Sequence, residues 1–309
     1  MENSSNRGIA LAYLTALVSG ISVFANGFGV VTLDSTAYTL VKNVLVAAIL
    51  AAIALSLGSW KEVLSLDRRQ KLMLAFSGVV GGGAAFALFF AGLSMLSGAE
   101  GSFLYRLLFV FAAIIGTFAL KEKFSWNIAA GALAIIGGNF LLLGNAALSL
   151  STGAILVLAA SALWAMEYAV SKKALESLSP TTVAGARMGI GAIVLFGILA
   201  WQGKVSALGA ISAESFLWIA VATGLLTLFT TLWYSALKKT TLIAASAAFT
   251  LGGPVSALLS LAFAGKALSP ASAAGFLLIA AGAVAVVGAA ETISAAAYLK
   301  EKALHKLHA

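Results

Sequence analysis

The sequence predicts an all-α integral membrane protein of ten transmembrane helices, arranged as two inverted-topology five-helix repeats around a central cavity. Three observations predict it. Of 309 residues, 61% are hydrophobic and 10% charged, with a mean hydropathy of +1.03; a soluble domain carries about 25% charged residues, so the surplus apolar surface has to face lipid. The apolar residues fall into ten runs, each long enough to cross a hydrocarbon core about 30 Å thick at 1.5 Å per residue. The first half of the chain also lies on the second at a shift of 144 or 145 positions.

The runs predict spans near 8–30, 36–57, 71–97, 98–120, 125–144, 151–174, 180–202, 213–237, 241–264 and 270–290. Short connections make neighbours antiparallel. Pro180 and Pro270 open helices, where the missing N–H costs nothing, and Pro254 lies inside a span and bends it. Residues 8–30 have a counterpart later in the chain, so they are read as a span and not as a signal peptide. At the repeat shift Gly8 meets Gly153, Thr36 meets Thr181, Lys42 meets Arg187, Gly131 meets Gly275 and Gly138 meets Gly282. The unit holds five spans, an odd number, so its two copies enter the bilayer from opposite sides. The domains expected are 1–148, 149–290 and a tail, 291–309, that lies either on the membrane surface or in solvent.

The charge pattern sets the orientation. On one side stand Arg7; Lys61, Arg68, Arg69 and Lys71; Lys121 and Lys123; Lys172 and Lys173; Lys238 and Lys239; and Lys300, Lys302 and Lys306 of the tail. The other side has only Lys204 and Lys266. Basic loops face the cytoplasm, so both termini are expected there and the chain in the cell's inner membrane. The same placement explains the net charge of +8 without nucleic acid.

Composition narrows the chemistry. With no cysteine, and with both histidines (His305 and His308) in the last five residues, thiolate nucleophiles, Cys-ligated metals and an intramembrane Ser–His pair are excluded. Gly81-Gly82-Gly83 is no phosphate loop, because no Gly-Lys-Ser/Thr follows. The expectation is a carrier of a small molecule, monomeric in the bilayer, with no catalytic residues, metal or cofactor. An intramembrane enzyme and a channel are the rival classes.

Polar side chains within spans mark faces turned from lipid. The first span sets Thr15, Ser19, Ser22 and Asn26 on one stripe, and the sixth carries Trp164, Glu167 and Ser171 at the matching positions, with Tyr168 beside them. The eighth offers Thr223, Thr227, Thr230, Thr231 and Tyr234, opposite Phe86 and Phe90 of the third. A hydroxylated wall facing an aromatic one suits an amphipathic molecule. In the irregular fourth and ninth spans, Tyr105 and Thr250 are expected on the cavity wall, and Glu100, Arg106 and Pro254 near bends that alternate access. Lys42 and Arg187, each roughly 10 Å deep, belong to a gate, a structural pair with Glu100 or Glu167, or, for Lys42, a substrate carboxylate. Glu167 is either a proton-coupling group or the partner of a cation. Gly78/Gly82 and Gly185/Gly189 have the spacing of close helix crossings.

These residues together resemble the drug/metabolite transporter superfamily, EamA type, over roughly 8–288. The likeness rests on Lys42 and Arg187, on Gly253-Pro254-Val255, and on the paired span ends Lys121-Glu122-Lys123-Phe124-Ser125 and Gly265-Lys266-Ala267-Leu268-Ser269. Lys42, where arginine is commoner, and Lys266, opposite the acid Glu122, depart from the pattern. Within the superfamily the chain is similar to the YddG-type exporters of aromatic amino acids. The resemblance implies a secondary transporter exporting amino acids, aromatic ones first, with drugs or nucleotide sugars as the other substrates.

Overall fold

A computed structural model describes residues 2–96, 98–143, 150–263, 265 and 267–307, with side chains for 5–96, 100–143, 150–263, 265 and 267–293. The 148/149 boundary, Lys266 and the side chains of the tail lie outside the described residues. Among the described residues ten helices are long and apolar enough to cross a membrane: α1 Ser5–Gly29, α2 Ser35–Ser56, α3 Arg68–Leu93, α4 Glu100–Ala119, α5 Trp126–Leu143, α6 Thr152–Ala174, α7 Pro180–Trp201, α8 Ala213–Lys239, α9 Leu242–Phe263 and α10 Pro270–Ile293. The last helix continues as backbone to Leu307.

The repeat extends to the helix ends. Asp34 caps α2 through the N–H groups of Thr36 and Ala37, and Ser179, 145 residues on, caps α7 through that of Thr182. Asp67 and Ser212 begin α3 and α8 in the same way, as Ser125 and Ser269 begin α5 and α10. Each cap satisfies N–H groups that a helix cannot bond internally. After α2 and α7 the chain turns at Gly58 and Gly203, at φ 72° and 68°, a left-handed conformation that glycine takes without strain.

Alpha5 and α10 pack through glycines. A methyl group on Gly131 would lie 2.8 Å from the Gly282 carbonyl, and one on Gly138 would lie 2.6 Å from that of Gly275. The pairing is crossed, so the two helices run antiparallel. Of the other glycine pairs, Gly78 and Gly82 do sit in a tight crossing: a methyl on Gly82 would lie 2.0 Å from the Arg187 carbonyl. Gly185 and Gly189 meet only ordinary contacts, 3.9 and 4.0 Å away.

Three spans depart from a plain α-helix. Alpha3 carries a π-helical stretch, Ser77–Ala84. Alpha4 is interrupted at Leu107, and α9 at Thr250 and Leu251. The break in α9 begins where Pro254, lacking an N–H, leaves the Thr250 carbonyl without its usual donor. Arg106 joins the two breaks. Its Nη1 donates to the Phe249 carbonyl at 3.4 Å, and its guanidinium lies 5.3 Å from the ring centres of Tyr105 and Phe249.

Candidate functional site: a cavity between the two halves

Seven spans, four from the first half and three from the second, enclose a cavity of about 70 Å³. Ser19, Ser22, Val23 and Asn26 of α1 line it, with Lys42 of α2, Phe86, Phe89 and Phe90 of α3 and Tyr105 of α4; from the second half come Trp164 and Tyr168 of α6, Arg187 of α7, and Leu226 and Phe229 of α8. The aromatic wall is continuous. The Trp164 ring centre stands 5.2 Å from Phe86, 5.1 Å from Phe89 and 5.5 Å from Tyr105, and Trp164 is fixed by donating Nε1–H to the Gly81 carbonyl at 2.9 Å.

The two basic residues that the repeat superimposes have different surroundings. Arg187 is met by charge: its Nε lies 3.5 Å from Glu167 Oε2 and its Nη2 donates to the Gly81 carbonyl at 3.2 Å. Glu167 Oε1 accepts from Ser77 Oγ at 2.7 Å, Ser171 Oγ at 2.5 Å and Tyr234 OH at 2.8 Å. The π-helical stretch serves this cluster, because its carbonyls at Gly81 and Gly82 turn to side chains: Trp164, Arg187 and Asn43, the last at 3.1 Å.

Lys42 is met by rings. Only 2% exposed, its Nζ stands 5.1, 5.8 and 4.8 Å from the ring centres of Tyr38, Phe86 and Phe90. It makes one hydrogen bond, to Asn26 Oδ1 at 3.2 Å, an acceptor that it shares with Tyr38 OH. Among the described residues no carboxylate pairs with it.

Of the residues expected at the site, Ser19, Ser22, Lys42, Phe86, Phe90, Tyr105, Trp164, Tyr168 and Arg187 come together on the cavity wall. Glu167 and Tyr234 do not; they stand behind it, bonded to each other. The threonines expected on α8 are not among the residues that line this cavity. Thr227 and Thr230 donate to the carbonyls of Thr223 and Leu226, each at 2.9 Å, and Leu226 and Phe229 face the cavity in their place. Thr227, Thr230 and Thr231 spend their hydroxyl donors on the preceding turn, and the Thr223 hydroxyl is buried without a hydrogen-bond partner. Thr250 likewise donates to Ala247 O at 2.6 Å. Arg106, Pro254 and Glu100 lie off the cavity, the first two at the helix breaks. Sequence reasoning missed Tyr38, Phe89, Leu226, Phe229 and Ser77. Tyr38 had a signal, one turn from Lys42; Ser77 had none before its helix was seen to be π-wound.

The Lys/Arg-rich face is tied across helices. Glu122 accepts from the N–H groups of Leu242 and Ile243 at 2.6 and 2.9 Å, and Glu62 from Ser179 N–H and Thr182 Oγ1 at 2.9 and 2.8 Å. Burial pushes the Glu122 carboxyl up, against those two bonds. Burial also raises Glu62, but its hydrogen bonds from Ser179 and Thr182 prevail and hold it below the usual range. The opposite face has Lys204 on Asp34 at 2.8 Å and Ser215 Oγ on the Thr32 carbonyl at 3.0 Å. Among the described residues no three His, Cys, Asp or Glu stand together as a metal site.

A match to the EamA-like transporter family covers residues 6–144 and again 151–288, five spans each time. The chain belongs to the EamA-like transporter family. It is thus a multi-pass membrane protein that transports small molecules. A relative from Sinorhizobium sp., described as an uncharacterized transporter in the cobO 3' region, is 32% identical over 129 residues, 40% of this chain and 91% of that protein. A solved crystal structure, of a protein described no further, superposes with a TM-score of 0.75 over 92% of this chain and 96% of that one at 18% identity. At that identity the likeness speaks for the fold alone.

Proposed function

We propose that this protein is a secondary transporter that exports small amphipathic metabolites, amino acids with aromatic side chains first, as YddG-type exporters do. It works by alternating access across the inner membrane, with both termini cytoplasmic. Residues 1–148 and 149–290 are two repeats of opposite insertion, followed by the tail 291–309. The crossed pairing of Gly131 with Gly282 and Gly138 with Gly275 supports a two-fold relation between them, and the basic loops support the orientation.

One observation carries the substrate class: a cavity between the halves, walled by Phe86, Phe89, Tyr105 and Trp164 and holding a buried ammonium. Access alternates between the faces. The cavity lining reaches Asn26, three residues from the end of α1, on the face away from the basic loops, while Glu122 and Glu62 bridge the cytoplasmic face. The fourth and ninth spans, broken and joined by Arg106, are the bending elements.

Counterflow of labelled L-phenylalanine into proteoliposomes loaded with the unlabelled amino acid tests the reading. Saturable uptake is expected. Uptake of nucleotide sugars or drugs with none of any amino acid would overturn the substrate choice, and flux linear in concentration without counterflow would make the protein a channel.

A further inference from the structure

We infer that the cavity recognises its substrate by a carboxylate, held by Lys42, and reads no amine, so that it takes aromatic acids as a class whether or not they carry an α-amino group. The inference rests on the transport reading above and concerns the same cavity.

Charge comes first. Among the described residues two cations line the cavity, Lys42 and Arg187, and no Asp or Glu does. Glu167, standing behind the wall, neutralises Arg187 at 3.5 Å. Lys42 has no such partner among the described residues, which leaves the cavity one unbalanced positive charge. An ammonium has three donors, and here a single neutral amide oxygen, already shared with Tyr38, accepts from it. Three ring faces stabilise the charge in part. An ammonium so buried has given up its hydration, and an arriving anion supplies what was lost.

Shape follows. Phe86 and Phe90 belong both to the rings around Lys42 and to the aromatic wall, so a carboxylate on Nζ sets the rest of the ligand against Phe89, Tyr105 and Trp164. An aromatic ring fits that surface by stacked or edge contacts. An α-ammonium finds no carboxylate there. Ser19 and Ser22 offer it hydroxyls, and those serve a neutral substituent equally well.

The test uses the purified full-length protein and three ligands that differ only at Cα: L-phenylalanine, 3-phenylpropionate (no amine) and phenethylamine (no carboxylate). Binding of labelled 3-phenylpropionate is measured by scintillation proximity in detergent. The other two compete, and phenylalanine counterflow runs in parallel. 3-Phenylpropionate is expected to bind at least as tightly as phenylalanine, with phenethylamine weaker by about 10- to 100-fold, the span of a hydrogen bond to a charged group. Lys42→Gln should lose binding by a similar factor and Lys42→Arg should recover most of it. Phenethylamine competing as well as the acids, or undiminished binding to Lys42→Gln, would overturn the inference. Acid binding without phenylalanine flux would instead overturn the proposed function and leave this inference standing. Flux of phenylalanine without acid binding would do the reverse.

Discussion

Lys42 and Arg187 occupy matching places in the two repeats, each seven residues into the second span of its half. Both are almost wholly buried. Around Arg187 the chain has gathered an opposite charge, three hydroxyls on that carboxylate and a carbonyl of a π-helix; around Lys42 it has gathered rings and one amide. The two halves carry matching cations, and among the described residues Arg187 has a counter-ion and Lys42 has none. Arg187 and Glu167 hold each other as an ion pair, although Arg187 Nε and Nη1 and Glu167 Oε2 make no hydrogen bond, whereas an ammonium without a carboxylate at a cavity wall is left to interact with what enters. This contrast separates support from recognition more sharply than depth or burial, which the two residues share.

The largest effect expected from breaking the contrast is on the Arg187 side. Arg187→Met strands the Glu167 carboxylate in a site 0% exposed, and removing one partner of such a pair costs about 3–5 kcal/mol. Thermal unfolding of the purified protein should fall steeply, and adding Glu167→Gln should restore much of it. Lys42→Met leaves no charge uncompensated, so its unliganded unfolding should stay at or above wild type. Equal losses in the two variants would erase the distinction.

The next effect sharpens the role of the π-helical stretch. Gly82→Ala drives a methyl against the Arg187 backbone and should cost about 1–3 kcal/mol by overpacking. Gly185→Ala, where the nearest atom is 3.9 Å away, should be neutral in the same unfolding assay.

Smaller still are the effects at the two faces. The Glu122 carboxyl is raised in the folded protein, burial being the largest cause. Its contribution is therefore present below the ordinary carboxylate range and lost as pH rises through the folded value. Glu122→Gln should match or exceed wild type at neutral pH, and the gap should close on acidification. Asp34 behaves oppositely. Burial raises it, but the bonds from Lys204, Ala37 and Thr36 hold it below the usual value. Its contribution exists above the ordinary value and fades as pH falls below it. Lys204 is 54% exposed, so Asp34→Asn, which keeps the helix cap, should cost only about 0.5 kcal/mol.

Much of the architecture was legible because the bilayer enforces it. A span has to be apolar for about 20 residues, and the ten runs in the sequence became the ten helices, with ends moved by a few residues, as where Asp67 caps α3 ahead of its apolar run. The paired basic residues were legible from the repeat. Their inequality was not, because Glu167 and Arg187 meet only where α6 and α7 both pack on the π-helical stretch of α3, and nothing local brings Phe86 and Phe90 to Lys42. The threonine stripe on α8 misled for a definite reason. Sequence counts a hydroxyl as polar, but in a helix it bonds to its own backbone, so Leu226 and Phe229 between the threonines form the wall. The π-helix escaped notice because glycines permit it without dictating it. The break in α9 was announced by Pro254, while α4 breaks at Leu107 with no proline near.

Unfolding of Lys42→Met and wild type, each with and without saturating 3-phenylpropionate, weighs both sides of the contrast together. A ligand at 100 times its dissociation constant stabilises by about 2.7 kcal/mol. The account expects the acid to raise the unfolding temperature of wild type and to leave Lys42→Met, itself no less stable than wild type, unmoved. A variant that unfolds as early as Arg187→Met, or that gains as much from the acid as wild type does, would contradict it.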